Sequence, residues 1–281
     1  MTRQLGVAHL TLLPLTPPEM IDVAAATGLD FVGIRVHAVT PTEQLPDLRP
    51  GSPMLRETLA RLDGTGVVVR DIEFLPLTSE SGPDDWKSSL EAGARLGASV
   101  FTVAGADTDR SRLIDTLARL AADAAEFGIR PALEPISYQS VSTVAEAASL
   151  ARAAGAALML DPLHIQRGGS SLDDVAALEP TLVPVLQLCD APLALADDGP
   201  DRTAARQHEA RKDRMVVGEG ELPLAGLLAA TPPGVPVSLE IPNVHLQATL
   251  PPREFLAVLA RAARTLIAQA DGAREEGRTD A

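Results

Sequence analysis

Short runs of β-branched and aliphatic residues alternate along the chain with longer segments in which apolar residues recur every three or four positions. The first pattern is typical of buried strands, and the second is typical of helices with one buried face. At several junctions a glycine stands between a helical segment and the next strand, where a left-handed residue commonly ends a helix. These glycines are Gly28, Gly66, Gly97, Gly128 and Gly155. The order of helix, glycine and strand indicates repeated βα units.

Eight strands and eight helices are predicted in one continuous series. The strands fall at about 5–10, 30–36, 66–74, 98–104, 129–134, 156–161, 182–188 and 235–240. The helices fall at about 17–27, 52–63, 84–96, 109–127, 141–154, 171–178, 221–230 and 251–270. The pattern predicts the α/β class and a single (β/α)8 TIM barrel over residues 1–270. A doubly wound open sheet is the alternative, but no phosphate-binding glycine fingerprint follows the first strand.

Two segments do not follow this alternation. Residues 189–220 are polar, and we expect a loop with a short helix over the mouth of the barrel, where enzymes of this fold keep lids. The charged segment 271–281 is predicted to be a disordered tail. The Leu- and Ala-rich helix at 251–270 packs either on its own barrel or on a second copy, so a homo-oligomer stays open.

Composition narrows the class of protein. A length of 281 residues suits one barrel, and with only seven aromatic residues the core must consist of Leu, Val, Ile and Ala. The net charge of −14 lacks the basic footprint of a nucleic-acid binder. A single Cys suits a reducing compartment, and neither a signal-peptide pattern nor an apolar run of about 18 residues is visible. We therefore expect a cytoplasmic protein with a small-molecule substrate and without nucleic-acid or membrane partners.

Polar residues end four consecutive predicted strands, and the carboxyl ends of barrel strands share one mouth. Three carboxylates buried there would each cost several kcal/mol and would repel one another. A divalent cation removes both problems, and an oxygen-rich site suits Mg²⁺ or Mn²⁺, with Co²⁺ also compatible. The alternative is that these residues cap helices or pair with Arg. The four residues are Glu134, Asp161, Gln187 and Glu240.

These residues, together with DPLH at 161–164, DAP at 190–192, GEGELP at 218–223 and SLE at 238–240, make the chain resemble a known superfamily. It is the xylose isomerase-like superfamily of sugar isomerases, epimerases and dehydratases, and the resemblance is strongest from 130 to 243. The resemblance implies that the four strand-end residues bind the metal, and that Glu134 and Glu240 act as catalytic bases.

Two departures bear on the reaction. Most sugar epimerases of the superfamily have His where this chain has Gln187, which is closer to the bacterial 3-dehydroshikimate dehydratases. Those dehydratases carry basic residues or His shortly after the Glu of strand five, whereas EPISYQSVS at 134–142 contains no basic residue. Gln187 therefore favours a dehydratase, whereas the absence of a basic residue from 134–142 opposes it.

Five further side chains are candidates for substrate binding. The resemblance implies substrate contacts for His164 and for Arg214, although Arg211 and Lys212 make the match of Arg214 easy to shift. The residues themselves suggest three more, each with a structural alternative. Arg167 is in the same loop as His164, Glu73 ends strand three, and Arg35 ends strand two.

The leading hypothesis is a metal-dependent isomerase or epimerase acting on a small polyhydroxylated carbonyl compound. A divalent cation would polarise the carbonyl and stabilise an enediolate, while a strand-end carboxylate acts as base on the adjacent C–H. Loss of a β-hydroxyl from the same enediolate gives dehydration, so a lyase of the 3-dehydroshikimate dehydratase kind is the alternative. A non-catalytic binding protein that kept the barrel is a third hypothesis; it predicts a broken donor set, and all four positions here carry oxygen donors.

Overall fold

The computed structural model describes residues 3–39, 43–195 and 202–279. Part of the predicted lid (196–201) and the end of the predicted tail (280–281) lie outside the described residues. Eight parallel strands form a closed barrel in chain order, in which β1 pairs with both β2 and β8. This confirms the predicted TIM barrel. The strands are β1 (Leu5–Val7), β2 (Phe31–Arg35), β3 (Val68–Leu77), β4 (Val100–Gly105), β5 (Arg130–Glu134), β6 (Ala157–Leu160), β7 (Val185–Leu188) and β8 (Val237–Leu239).

Helices connect the strands and cover the outside of the barrel. They are α1 (Pro17–Ala26), α2 (Pro53–Thr65), α3 (Pro83–Leu96), α4 (Arg110–Ala125), α5 (Val144–Ala154), α6 (Pro162–Gly168), α7 (Leu172–Ala176), α8 (Arg202–Lys212), α9 (Leu224–Ala230), α10 (Val244–Thr249) and α11 (Pro252–Thr279). No helix in the described ranges is long and apolar enough to cross a membrane.

Among the elements that differ from the sequence-based expectation, three are informative. The chain leaves β1 at Val7 and enters a short 3-10 helix, His9–Leu12, where the strand was predicted to continue to residue 10. The helix α6 was not predicted; it forms because Pro162 stands at its first position and the Asp161 carboxylate accepts hydrogen bonds from its first free backbone N–H groups. The last helix extends to Thr279, into the segment 271–281 predicted as a disordered tail, because Ala, Arg and Glu there favour continuation of a helix.

The barrel interior changes from apolar to polar toward the carboxyl ends of the strands. A separate apolar cluster fills its lower part, and it includes Val100, Ala132, Met159 and Val185. Side chains two positions apart on a strand point the same way. The next inward-facing position on each of these strands is therefore polar, and these positions hold Thr102, Glu134, Asp161 and Gln187. The apolar cluster is thus the floor on which the candidate site stands.

Candidate metal centre

Three acidic side chains meet at the carboxyl end of the barrel. Glu134 ends β5, Asp161 follows β6, and Glu240 follows β8. All three residues are buried, with at most 5% of their surface exposed. Glu134, Asp161 and His164 each place one donor atom within 4.8 Å of the others. Three donor atoms this close together are suitable ligands for one metal ion, and His164, which the sequence suggested as a substrate contact, is one of the three residues.

Arg214 lies beside these carboxylates and is fully buried. Its Nη1 donates to Asp161 Oδ2, and its Nη2 lies 2.9 Å from Glu240 Oε2. Its Nε donates to the carbonyl oxygen of Ala210 at 2.8 Å. The sequence suggested a substrate contact for Arg214. Arg214 borders the cavity described below, but its guanidinium binds two predicted metal ligands, Asp161 and Glu240. Buried carboxylates require such a counter-charge.

The motifs after β7 hold Arg214 in this position. Asp190 and Met215 exchange backbone hydrogen bonds of 3.1 and 2.8 Å, directly after Arg214 in the chain. The Asp190 carboxylate accepts hydrogen bonds from Gly218 N at 2.9 Å and Leu222 N at 3.1 Å. The Arg214 N–H itself donates to the Pro242 carbonyl oxygen at 3.2 Å. DAP and GEGELP are therefore structural motifs that join the end of β7 to the end of β8.

Gln187 and Glu240 form a second pair in the cluster. Gln187 Nε2 donates to Glu240 Oε1 at 2.8 Å. Gln187 Oε1 is buried and has no hydrogen-bond partner among the described residues. A buried amide oxygen without a donor costs free energy unless a ligand satisfies it. This oxygen is therefore free to meet a ligand in the cavity.

Burial and mutual repulsion set the electrostatics of the cluster. Burial, followed by the charges of Glu240 and Asp161, raises the pKa of Glu134 well above its usual range. Burial likewise raises the pKa of Glu240 to about 8, although Arg214 opposes this shift. Burial alone would raise the pKa of Asp161, but Arg214 and His164 bring it below its usual value. Burial lowers the pKa of His164 to about 4, so this imidazole is neutral. The donor set thus consists of carboxylates, an amide oxygen and a neutral imidazole.

One cavity of about 940 Å³ opens above this cluster. Glu134, Gln187 and Glu240 line it, as do Glu73 and Arg35 from the opposite side. Arg35 Nη2 lies 3.5 Å from Glu73 Oε1, and its Nη1 lies 3.3 Å from Glu43 Oε2. Both predicted residues therefore face the cavity, but they already neutralise each other.

Arg167 is placed differently from the prediction. It does not line the cavity; it is buried beneath α8, where its Nη2 lies 2.7 Å from Glu209 Oε1. Its other donors reach the carbonyl oxygens of Pro192 at 2.7 Å and Leu193 at 2.8 Å. Arg167 is thus not a substrate contact in this structure, because its charge and donors are used to hold α8 over the barrel.

Sequence reasoning missed several cavity residues. Thr102 occupies an inward-facing position of β4 and lines the cavity. Its buried hydroxyl has no hydrogen-bond partner among the described residues. Tyr138 packs edge-on against His164, with ring centroids 5.4 Å apart, and the Arg211 guanidinium lies 5.9 Å above the Tyr138 ring. The segment 134–142 lacks a basic residue of its own, and α8 supplies one from a distant part of the chain. Only the inward alternation of β4 could have indicated any of these residues in advance.

The fold and the site together define a TIM-barrel protein with a buried cluster of carboxylates, an amide and an imidazole at the carboxyl end of its strands. A family model described as xylose isomerase-like TIM barrel matches residues 21–265. The chain belongs to this family. No curated protein sequence is significantly similar to the chain.

Solved structures of the same fold are similar over nearly the whole chain. A xylose isomerase-like TIM barrel/4-hydroxyphenylpyruvate dioxygenase fusion protein is 23% identical, with a TM-score of 0.79. The aligned region covers 99% of this chain and 45% of the fusion protein. The IolI protein with a bound zinc atom is 16% identical, with a TM-score of 0.75 over 95% of this chain and 99% of that one.

Two structures with named activities are also similar. D-allulose 3-epimerase from Methylomonas sp., in complex with D-allulose, is 16% identical, with a TM-score of 0.65 over 96% of this chain and 97% of that one. The probable 3-DHS dehydratase AsbF from Bacillus anthracis is 10% identical, with a TM-score of 0.71 over 92% of this chain and 98% of that one. At these identities the similarity establishes the fold alone.

Proposed function

We propose that the protein is a divalent-metal-dependent isomerase or epimerase that acts on a polyhydroxylated carbonyl compound through an enediolate. The observation that carries this proposal is the unpartnered Gln187 Oε1 in one cavity that buried Glu134 and Glu240 also line, with buried Asp161 beside Glu134. Buried carboxylates with raised pKa values are typical of sites that hold a cation or move protons. A D-allulose 3-epimerase shares the fold, which supports the same class of reaction.

Glu134, Asp161, Gln187 and Glu240 would hold the metal. Of these, Glu134 and Asp161 lie with His164 in one group whose donor atoms are within 4.8 Å of one another. Their oxygen donors favour Mn²⁺ or Mg²⁺, although Co²⁺ is compatible and a neighbour of the same fold binds zinc. A bound divalent ion would supply Lewis-acid polarisation of the carbonyl and charge stabilisation of the enediolate.

The residues of the chain would carry out the proton transfers. Glu134 and Glu240 both face the cavity, so each can accept a proton from a carbon next to the carbonyl or return one to it. Arg214 keeps Asp161 and Glu240 in place through its ion pairs. His164 Nδ1 is 3.2 Å from Ser137 Oγ, which fixes the imidazole and leaves Nε2 directed toward Glu134 at 4.0 Å. Thr102 and Glu73 offer hydrogen-bonding groups to substrate hydroxyls in the same cavity.

Proton exchange tests this proposal without knowledge of the product. The purified protein, supplied with Mn²⁺ or Mg²⁺, is incubated in D₂O with a panel of ketoses and followed by NMR. We expect deuterium to enter at the carbon next to the carbonyl of at least one compound, and chelation of the metal to stop it. Glu134→Gln and Glu240→Gln should each abolish exchange, while Glu57→Gln on the exposed face of α2 should not. Exchange that persists in both variants would contradict the proposal.

Gln187 supports a second candidate function, a lyase of the 3-dehydroshikimate dehydratase kind, because the strand-seven Gln resembles those enzymes and a probable dehydratase shares the fold. Glu134, Glu240 and the proposed metal ligands would have the same roles as in the isomerase, and a β-hydroxyl would leave from the enediolate. Incubation with 3-dehydroshikimate and Mn²⁺ or Mg²⁺ should then give the ultraviolet absorbance of protocatechuate. No absorbance change would exclude that substrate.

A further inference from the structure

The cavity has two chemically different sides. Its floor carries the carboxylates, Gln187 and Arg214, whereas the side formed by the connections after β1 and β2 and by β3 is rich in large apolar side chains. We name this side the apolar wall. Its members are Leu10, Leu13, Val39, Leu45 and Phe74.

These five side chains are not part of the structural core. Each is at least partly exposed, and none packs against the main apolar core of the described residues. Only seven residues of the chain are aromatic, yet Phe74 and Tyr138 both line this cavity. Apolar surface that faces a cavity instead of the core is typical of a ligand site.

Glu43 and His9, two polar residues beside this wall, already have hydrogen-bond partners. Glu43 binds Arg35 and accepts a hydrogen bond from Val39 N at 2.9 Å. His9 Nε2 lies 3.0 Å from the Leu15 carbonyl oxygen, and His9 Nδ1 accepts from Arg35 N at 2.9 Å. These two residues therefore have little capacity left for substrate hydroxyls on this side of the cavity.

We propose that the substrate carries an apolar aryl or alkyl group, which binds the apolar wall while its hydroxy-carbonyl end reaches the carboxylates on the floor. The inference rests on the proposed function for the polar end and on the wall itself for the apolar end. The volume agrees with it: about 940 Å³ lies near the upper end of the range for sites that enclose a drug-sized ligand, about 300–1,000 Å³. The occupant is a small molecule because the wall and the reactive floor belong to one continuous cavity.

Three probes separate the two ends of such a substrate. Dihydroxyacetone has only the hydroxy-carbonyl end, acetophenone has the phenyl ring and the carbonyl but no hydroxyl, and 2-hydroxyacetophenone (phenacyl alcohol) has the phenyl ring and the complete hydroxy-carbonyl end. Binding of each to the full-length protein with Mn²⁺ is measured by calorimetry. We expect 2-hydroxyacetophenone to bind at least tenfold more tightly than dihydroxyacetone, because burial of a phenyl ring against the wall adds to the affinity.

Two leucines of nearly equal exposure provide a matched pair of variants. Leu45 is 40% exposed on the apolar wall, and Leu59 is 39% exposed on α2 and does not line the cavity. Leu45→Asn should weaken binding of 2-hydroxyacetophenone by about tenfold and leave the affinity for dihydroxyacetone unchanged. Leu59→Asn should change neither affinity. Leu13→Asn tests the wall at a second position with the same expectation.

The outcomes separate this inference from the proposed function. If the two phenyl compounds bind no more tightly than dihydroxyacetone, or if none of the three binds, the apolar wall is not a substrate subsite. Equal losses in Leu45→Asn and Leu59→Asn would also overturn the inference. If acetophenone binds in a Leu45-dependent way while dihydroxyacetone shows no dependence on Mn²⁺ or Glu240, the wall stands and the proposed metal chemistry fails.

Discussion

At the scale of single residues, the balance of buried charge explains the site. Arg35 forms ion pairs with Glu73 and Glu43, and Arg214 forms ion pairs with Asp161 and Glu240. Glu134 has no arginine or lysine within 4.0 Å in the described part of the chain; its nearest basic group is the neutral His164 at 4.0 Å. A buried carboxylate left in this condition is costly. A divalent cation beside Glu134 would complete the balance that Arg214 begins.

Asp71, one layer deeper in the barrel, carries a prediction about pH. It is 2% exposed, its Oδ1 has no hydrogen-bond partner among the described residues, and burial raises its pKa to about 8. Between about pH 4 and pH 8 the folded protein therefore binds a proton at Asp71 that the unfolded chain releases. The free energy of unfolding should fall as pH rises through this window, by up to about 1.4 kcal/mol per pH unit.

The variant Asp71→Asn removes this titration. Chemical denaturation between pH 5 and pH 8, with chelator present, should show a smaller loss of stability with rising pH in Asp71→Asn than in the unchanged protein. Glu134 and Glu240 contribute to the slope of both proteins, so the difference between them isolates Asp71. Asp63→Asn, at an exposed position on α2, serves as control and should follow the unchanged protein. Identical slopes for all three would mean that Asp71 is ionised in the fold.

Position along a strand made some of these residues predictable and left others hidden. Glu134, Gln187 and Glu240 were predictable as cavity residues because each ends a short apolar run, and strand ends share one mouth. The pairing of Arg167 with Glu209, 42 residues away, has no local signal in the sequence. Arg167 was therefore assigned to the substrate, although its partner removes it from the cavity.

At the scale of elements, the connection after β7 shows how a motif supports the site without entering it. Asp190 binds the backbone of GEGELP, and the same connection carries Arg214 and helix α8. The sequence indicated a short helix over the mouth here, and α8 occupies that role in the described residues 202–212. The helix α6 was missed because Asp161 was considered only as a ligand, whereas it also accepts hydrogen bonds from the N–H groups of Leu163 and His164.

Gly220 in this connection gives a prediction for the element. A Cβ at Gly220 would lie 2.6 Å from the Ala191 carbonyl oxygen and 2.7 Å from Ala191 N, and would also meet Asp190. Because backbone atoms cannot easily move away, Gly220→Ala should lower the free energy of unfolding by about 1–3 kcal/mol. It should also weaken metal binding, since Arg214 and its partners would shift. Denaturation and titration with Mn²⁺ measure the two effects.

Gly64→Ala is the matched control. Gly64 lies inside α2, and a Cβ there has no heavy atom within 4 Å. The substitution should raise stability by about 0.5–1 kcal/mol, because alanine loses less backbone entropy in a helix than glycine. If Gly220→Ala is tolerated as well as Gly64→Ala, the close contact between GEGELP and Asp190 does not matter for the fold.

At the scale of the whole molecule, the barrel closes through strands that the candidate metal would join. Glu134, Asp161, Gln187 and Glu240 belong to the ends of β5, β6, β7 and β8, which are consecutive neighbours in the sheet. Barrel closure was predictable from the count of βα units, since eight of them close a sheet without an edge. The position of Arg214 among the ligands was not, because it depends on contacts between the connections after β7 and β8.

Metal binding should therefore stabilise the whole barrel, since the ligands come together only in the folded chain. With free Mn²⁺ at 100 times its dissociation constant, the free energy of unfolding should rise by about 2.7 kcal/mol. In Glu240→Gln this increase should largely disappear, because a ligand is lost.

In Arg214→Met, buried Asp161 and Glu240 lose their counter-charge, so the free energy of unfolding of the chelated protein should fall by about 3–5 kcal/mol. Mn²⁺ should then restore more stability to this variant than to the unchanged protein, because the ion replaces the missing charge. Arg119→Met, on the exposed face of α4, should behave as the unchanged protein does. Denaturation of all four proteins with chelator and with Mn²⁺ measures these differences, and an Arg214→Met variant that Mn²⁺ does not rescue would show that the ion and Arg214 do not serve the same carboxylates.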